Sequence, residues 1–265
     1  MSDLQVVVLA IVQGLTEFLP ISSSGHLVLV PTVFGWSDQG MAFDVAMHFG
    51  SLTAVLIYFR GDIAMLLRGS MQVLRADVGS VESRLALGLA LGTIPAAVVG
   101  LLLGDWIGDN LRSPAVIAGT LSGYAVLMLV FDRIGRKNRL LKDLRIRDAV
   151  LIGLAQALAL VPGTSRSGIT ITAGLALGFS RTEAARFSFL LAVPVILLAT
   201  AYELYVLAGS GATVAWGQLA FGALVAAIVA YLSIEFFMRF VTRVGLLPFA
   251  IYRIVLAAVI VYALA

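Results

Sequence analysis

The chain has 265 residues, 60% of them hydrophobic and only 12% charged, with no cysteine. A soluble domain of that length needs more charge to cover its surface, so the composition points to an all-α polytopic membrane protein. Long apolar runs, in place of alternating segments of about ten residues, exclude a transmembrane barrel. The net charge of +3 is scattered over loops and gives no reason to expect a nucleic-acid partner, and without cysteine there are no disulfides or thiolate metal sites.

No cleavable signal peptide is expected. A signal needs a basic start, and the first Lys or Arg is Arg60. Residues 4–19 are apolar apart from Gln5, Gln13 and Glu17; residues 20–25 break the run, and 27–35 are apolar again. The second arm covers about 14 Å of a ~30 Å hydrocarbon core and is too short to span it. Residues 4–35 therefore read as a re-entrant hairpin, whose break must be buried in protein or line a wet cavity. Spans are expected at 42–59, 85–103 and 115–131. A second hairpin, 149–179, carries its break at 162–168, and further spans are expected at 187–207, 214–237 and 246–265. Pro95 and Pro194 fall inside spans and predict kinks.

The chain repeats itself. With an offset of 143, Gln13 falls on Gln156, Leu15 on Leu158, Ser22 on Ser165, Ser24 on Ser167, Gly25 on Gly168, Gly35 on Gly178 and Ala42 on Ala185. Pro114 and Pro248 open the last span of each half. Repeat one is 1–132, a basic connector is 133–147, and repeat two is 148–265. Each half holds one hairpin and three spans, six spans in all. An odd number of crossings turns the second half over, which is the inverted-repeat plan of many transporters. Thirteen basic residues collect in the loops on one side and one, Arg112, on the other. By the positive-inside rule the rich side is cytoplasmic. Both termini and the first hairpin then belong to the outer side, and the second hairpin enters from the cytoplasm.

Two stretches carry chemistry. Glu17 is an ionisable group in apolar sequence, a functional candidate by default. Gln13, one helical turn earlier, shares its face, and a carboxylate beside an amide oxygen suits Mg²⁺ or Ca²⁺. His26 follows Ser22, Ser23, Ser24 and Gly25, placing an imidazole near hydroxyls as acid–base or nucleophilic chemistry requires. His48 and Asp44 share a face and fit a structural polar pair as well as a functional one. In the second break, Arg166 offers a fork for phosphate. Gly163 and Gly168 admit backbone N–H groups to an anion, and Ser165, Ser167 and Thr170 add hydroxyls. Under the repeat, Ser23 aligns with Arg166 and Glu17 with Leu160. One copy holds the acid and histidine, the other the cation, and a phosphoryl-transfer site results only if the hairpins meet. Arg253, inside the last span, is expected to pair internally or to snorkel.

At these residues the chain resembles the undecaprenyl-diphosphatase family, the bacitracin-resistance proteins. The family's acidic E/Q-x-x-x-E motif is matched by Gln13 to Glu17, its serine-rich stretch ending in histidine by Ser22 to His26, and PG-x-SRS-x-x-T by Pro162 to Thr170. FSFLLAVP from Phe187 and PFAIYR from Pro248 also look like family sequence. The resemblance implies hydrolysis of undecaprenyl diphosphate to undecaprenyl phosphate, recycling the lipid carrier for peptidoglycan synthesis. It also implies a divalent cation and a site on the periplasmic or outer side of the bacterial inner membrane. On that basis Arg166, Ser165, Ser167 and Thr170 hold the diphosphate, and Glu17 with Gln13 holds the metal. Ser23 is the nucleophile and His26 the base and acid, with His26 as nucleophile open. A flippase or transporter of an anionic lipid is the competing reading, and a homodimer is an open option.

Overall fold

The computed structural model describes residues 1–37, 39–209 and 215–264. Val214 and Ala265, expected ends of two spans, lie outside them. The described residues form α-helices and two short 3₁₀ turns, with no sheet. The first hairpin is α1 (Asp3–Thr16), a turn, and α2 (Ser23–Phe34). Ser2 and Gln5 close a capping box at the start of α1, satisfying N–H groups that have no partner within the helix. Gly35, at φ 64°, ends α2 in the left-handed cap that glycine adopts without strain. Then come α3 (Met41–Tyr58), α4 (Arg60–Leu74), α5 (Val81–Asn110) and α6 (Pro114–Ile134). Ser113 caps α6 and Pro114 opens it, where its missing N–H costs nothing. The second hairpin is α7 (Ile146–Ala157), a 3₁₀ turn (Leu158–Leu160), a break, and α8 (Arg166–Ala176). The chain continues with α9 (Arg181–Gly209), α10 (Trp216–Val244) and α11 (Leu247–Leu264).

Among the described residues five helices, α3, α5, α6, α9 and α10, are long and apolar enough to cross a membrane. The sixth expected span coincides with α11, which counts among the shorter apolar helices over Leu247–Tyr262. Large apolar side chains remain exposed along the long helices, for example Leu101, Leu102 and Phe236, as a bilayer-facing surface requires and an aqueous one penalises. The chain is thus an all-helical, multi-pass membrane protein. One expectation needs correction. The segment after the first span is not a loop but α4, which packs so tightly on α5 that a Cβ at Gly69 would strike the Glu82 carbonyl. α5 and α9 run through Pro95 and Pro194, which lie inside them as expected.

The hairpins pack among the long helices and touch each other at their breaks. α10 lies along α1 and α3, α5 along α4 and α7, α6 against α11, and α9 touches α3, α5 and α8. α5 and α7 approach at Gly92 and Gly153, where a Cβ on Gly153 would overlap the Gly92 backbone. Beneath the first break a chain of rings fills the core. Phe189 meets Phe18 at 5.3 Å, Phe59 at 6.1 Å and Phe237 at 5.7 Å between centroids, within the range favoured by edge-on aromatic pairs. At the opposite end, the first turns of α9 collect ion pairs. Arg181 binds Asp132 at 2.6 and 2.9 Å, Arg186 pairs with Asp62, and Glu183 accepts the Leu141 N–H at 2.9 Å. These charges tie α9 to α4, α6 and the connector.

Candidate active site

The two breaks share one backbone conformation. Ser22 has φ 76°, ψ 94° and Ser165 has φ 69°, ψ 113°. Positive φ is strained for a residue with a Cβ and costs roughly 1–3 kcal/mol unless the surroundings impose it. Each serine stands immediately before a helix, α2 or α8. Each hydroxyl lies beside that of the serine two residues on, Ser24 at 3.2 Å and Ser167 at 3.3 Å. The sequence repeat is therefore a repeat of geometry at this point.

The breaks meet at Glu17. Its Oε1 accepts from Arg166 Nη2 at 3.0 Å, and its Oε2 accepts from Ser23 Oγ at 2.8 Å and Gln13 Nε2 at 3.0 Å. Acid, hydroxyl and guanidinium are thus joined across 149 residues of sequence. The Arg166 guanidinium is also held by the Ser188 carbonyl at 3.4 Å and stands 5.8 Å from the Phe18 ring centroid. A second link crosses nearby, with Ser167 Oγ donating to the Leu19 carbonyl at 3.0 Å. All of these groups come from one chain, so a second copy is not needed to complete the constellation.

A cavity of about 250 Å³ opens over these groups. That is below the usual ~300–1,000 Å³ of a drug-sized site and is the scale of a headgroup. Glu17, Ser22, Ser23, Ser24, Ser165 and Arg166 line it. Ser167, Gly168 and Thr170, expected to bind phosphate, do not. Thr170 turns its hydroxyl to Ser188 Oγ at 2.6 Å, and the Gly168 N–H is already taken by Ser165 Oγ at 3.2 Å. Gly163 also departs from expectation. Its φ of 86° and its contact with α6, where a Cβ would strike Thr120 and Ile117, make it a packing wedge and not an anion cradle.

His26 is not where acid–base chemistry would put it. Its Nδ1 lies 2.7 Å from the Ser22 carbonyl, which can only accept, so Nδ1 carries the proton. Its Nε2 is then free to accept, and Tyr252 Oη lies 2.6 Å away. Both nitrogens are engaged, and the ring stacks on Tyr252 at 5.6 Å between centroids. The imidazole that does line the cavity is His48, 3.9 Å from Glu17 Oε2. Thr200 and Glu203 of α9 line it too. Glu203, absent from the candidates above, is an ionisable group in an apolar helix, the same signal that marks Glu17. Tyr252→Phe should therefore act on stability before chemistry. It leaves a buried acceptor without its donor and should cost about 1–2 kcal/mol, with kcat changed less than threefold; thermal unfolding in detergent beside turnover measures both.

Whether these residues suit a divalent cation depends on their free oxygens. Gln13 Oε1 is buried and has no hydrogen-bond partner, while its Nε2 is fixed on Glu17. An orphaned amide oxygen beside a carboxylate is a ligand pair a hard cation accepts. Among the described residues no group of three or more His, Asp or Glu is placed to hold a metal. The fit is therefore that of an ion completing its shell with substrate phosphate oxygens and water, not of a protein cage.

The family model described as Bacitracin resistance protein BacA matches residues 6–259. The undecaprenyl-diphosphatase of Nitrosococcus oceani is 52% identical over 262 residues, 99% of each chain. That of Hahella chejuensis is 51% identical over 258 residues, 97% of each chain. The undecaprenyl-diphosphatase 2 of Stutzerimonas stutzeri is 49% identical over 263 residues, 98% of this chain and 97% of its own. With residues 6–259 matched, this chain belongs to the bacitracin resistance protein BacA family.

Proposed function

We propose that this protein hydrolyses undecaprenyl diphosphate to undecaprenyl phosphate and inorganic phosphate, recycling the lipid carrier of peptidoglycan synthesis and conferring bacitracin resistance. The observation that carries the reading is the Arg166–Glu17–Ser23 chain of hydrogen bonds at the floor of one cavity. A phosphate needs a fork, a nucleophile needs a base, and here the two needs meet at one carboxylate.

In this reading Arg166 and Ser165 grip the terminal phosphate. Ser23 Oγ attacks its phosphorus while its proton passes to Glu17 Oε2, 2.8 Å away. The bridging P–O bond breaks and undecaprenyl phosphate departs. Water then attacks the phosphoserine, phosphate is released, and Ser23 recovers its proton. His26 holds the serine turn through Ser22, and would enter proton transfer only after Tyr252 lets go. Glu17 and Gln13 Oε1 would hold Mg²⁺ or Ca²⁺, which would supply charge neutralisation at the phosphate oxygens. The topology that accompanies this is six spans and two re-entrant hairpins in an inverted repeat. The ion-paired end of α9 faces the cytoplasm, and the site and both termini face outward. The positive-inside rule and the matching serine turns support it.

Purified protein given undecaprenyl diphosphate should release phosphate with Mg²⁺ or Ca²⁺ and lose at least 90% of that activity, about one order of magnitude in rate, in excess chelator. Turnover unaffected by chelator would remove the cation from the site. No turnover in any metal, with the lipid still bound, would favour carriage over cleavage.

A further inference from the structure

Arg253 is the largest of the fully buried side chains, 1% exposed, and it forms no ion pair among the described residues. A guanidinium withdrawn from water without a carboxylate is costly unless its N–H groups are otherwise satisfied. Here backbone carbonyls satisfy them. Nε donates to Leu121 at 3.1 Å, Nη1 to Pro20 at 3.4 Å, and Nη2 to Gly163 at 3.1 Å and Thr164 at 3.0 Å, with Thr120 at 3.5 Å. Two of these acceptors are equivalent. Pro20 and Gly163 are related by the same offset of 143 that relates Ser22 to Ser165. Each lies two residues before its strained serine. One side chain therefore grips the same carbonyl of both breaks, from a helix that belongs to only one repeat. In the register that aligns Pro114 with Pro248, the first repeat has Gly119 at this place. Nη1 also abuts Gly168, where a Cβ would come within 3.0 Å of it.

We propose that Arg253 is a positioning residue that sets the spacing of the two breaks and, through it, the alignment of Arg166 on Glu17 and Ser23. This rests on the reading of those three as the reacting constellation. The fork geometry matters as much as the charge. A rigid planar guanidinium can bridge two carbonyl groups on separate segments, whereas an ammonium is a point donor on a flexible stem. A small misplacement of reacting groups lowers the chemical step by roughly 10²-fold without touching the ligands themselves.

The test compares Arg253→Lys and Arg253→Met with the unsubstituted protein in detergent, using undecaprenyl diphosphate and normalising to the folded fraction. Positioning predicts that kcat falls roughly 10- to 100-fold, with KM within about threefold. It also predicts non-additivity. In an Arg166→Lys background, Arg253→Lys should cost no more than about threefold further, because the alignment it serves is already spoiled. A merely structural arginine would lower thermal stability, leave kcat per folded molecule intact and add independently to Arg166→Lys. Either of the last two results overturns the proposal. So does failure of every Arg253 variant, lysine included, to fold. If the unsubstituted protein releases no phosphate, the hydrolytic reading has failed instead.

Discussion

Arg166→Ala is expected to reduce kcat by about 10³-fold or more, with folding largely kept. Removing one preorganised donor from a phosphoryl or oxyanion site costs ~10²–10³, and arginines that neutralise a transferring phosphoryl group are worth up to ~10⁵. Arg166 sits where it can do both. Its Nη2 is tied to Glu17 at 3.0 Å and its guanidinium lines the cavity floor. Arg166→Lys restores the charge but not the fork and should recover only part of the loss. Phosphate release under single-turnover conditions, with unfolding midpoints for each variant, gives the answer. Near-normal turnover in Arg166→Ala would end the composite-site reading, because among the described residues no other Lys or Arg lines that cavity.

The sequence made this pairing legible because of the repeat. Aligning Ser22 with Ser165 put Ser23 opposite Arg166, and the two serines do share a positive φ at the mouths of equivalent helices. Apolar runs also located the long helices, closely at α3 and α6 but short by six or seven residues at one end of α5, α9 and α10, where charged and polar residues continue the helix beyond the apolar stretch. What remained hidden is long-range. His26 looked catalytic because it is close to serines in sequence, yet an i, i+4 bond turns it back on the Ser22 carbonyl and Tyr252 caps its other side. The cavity's own imidazole, His48, comes from a helix whose approach to Glu17 depends on how α3 packs against α1 and α9. The role of Arg253 is invisible in the sequence because its partners are backbone carbonyls, and carbonyls leave no mark there. Thr170 and Gly163 lie inside a motif that resembles a phosphate loop, but tertiary neighbours, Ser188 and α6, take their polar and open faces.

Glu17→Ala should damage both stability and chemistry, and the two can be separated. The carboxylate accepts from Arg166, Ser23 and Gln13 and is 8% exposed. Its loss strands a guanidinium in a largely dry setting, a change that costs about 3–5 kcal/mol when the partner is fully buried. Arg166 borders the cavity and keeps some access to water, its side chain being 13% exposed, so the lower end, about 3 kcal/mol, is expected. The same substitution removes the base on Ser23, worth roughly 10²–10⁴ in rate. Glu17→Gln keeps the shape and one acceptor oxygen, so it should fold nearly as well and still lose most of its activity. Pairing Glu17→Ala with Arg166→Met removes both charges and should return stability toward the starting value while leaving the enzyme inactive. Unfolding midpoints recovering without turnover would show that Glu17 both neutralises Arg166 and serves Ser23. Midpoints that stay low in the double variant would show that the carboxylate's other donors, Ser23 and Gln13, carry the stability. The acid of the first break would then be a structural keystone whose link to the phosphate clamp is incidental.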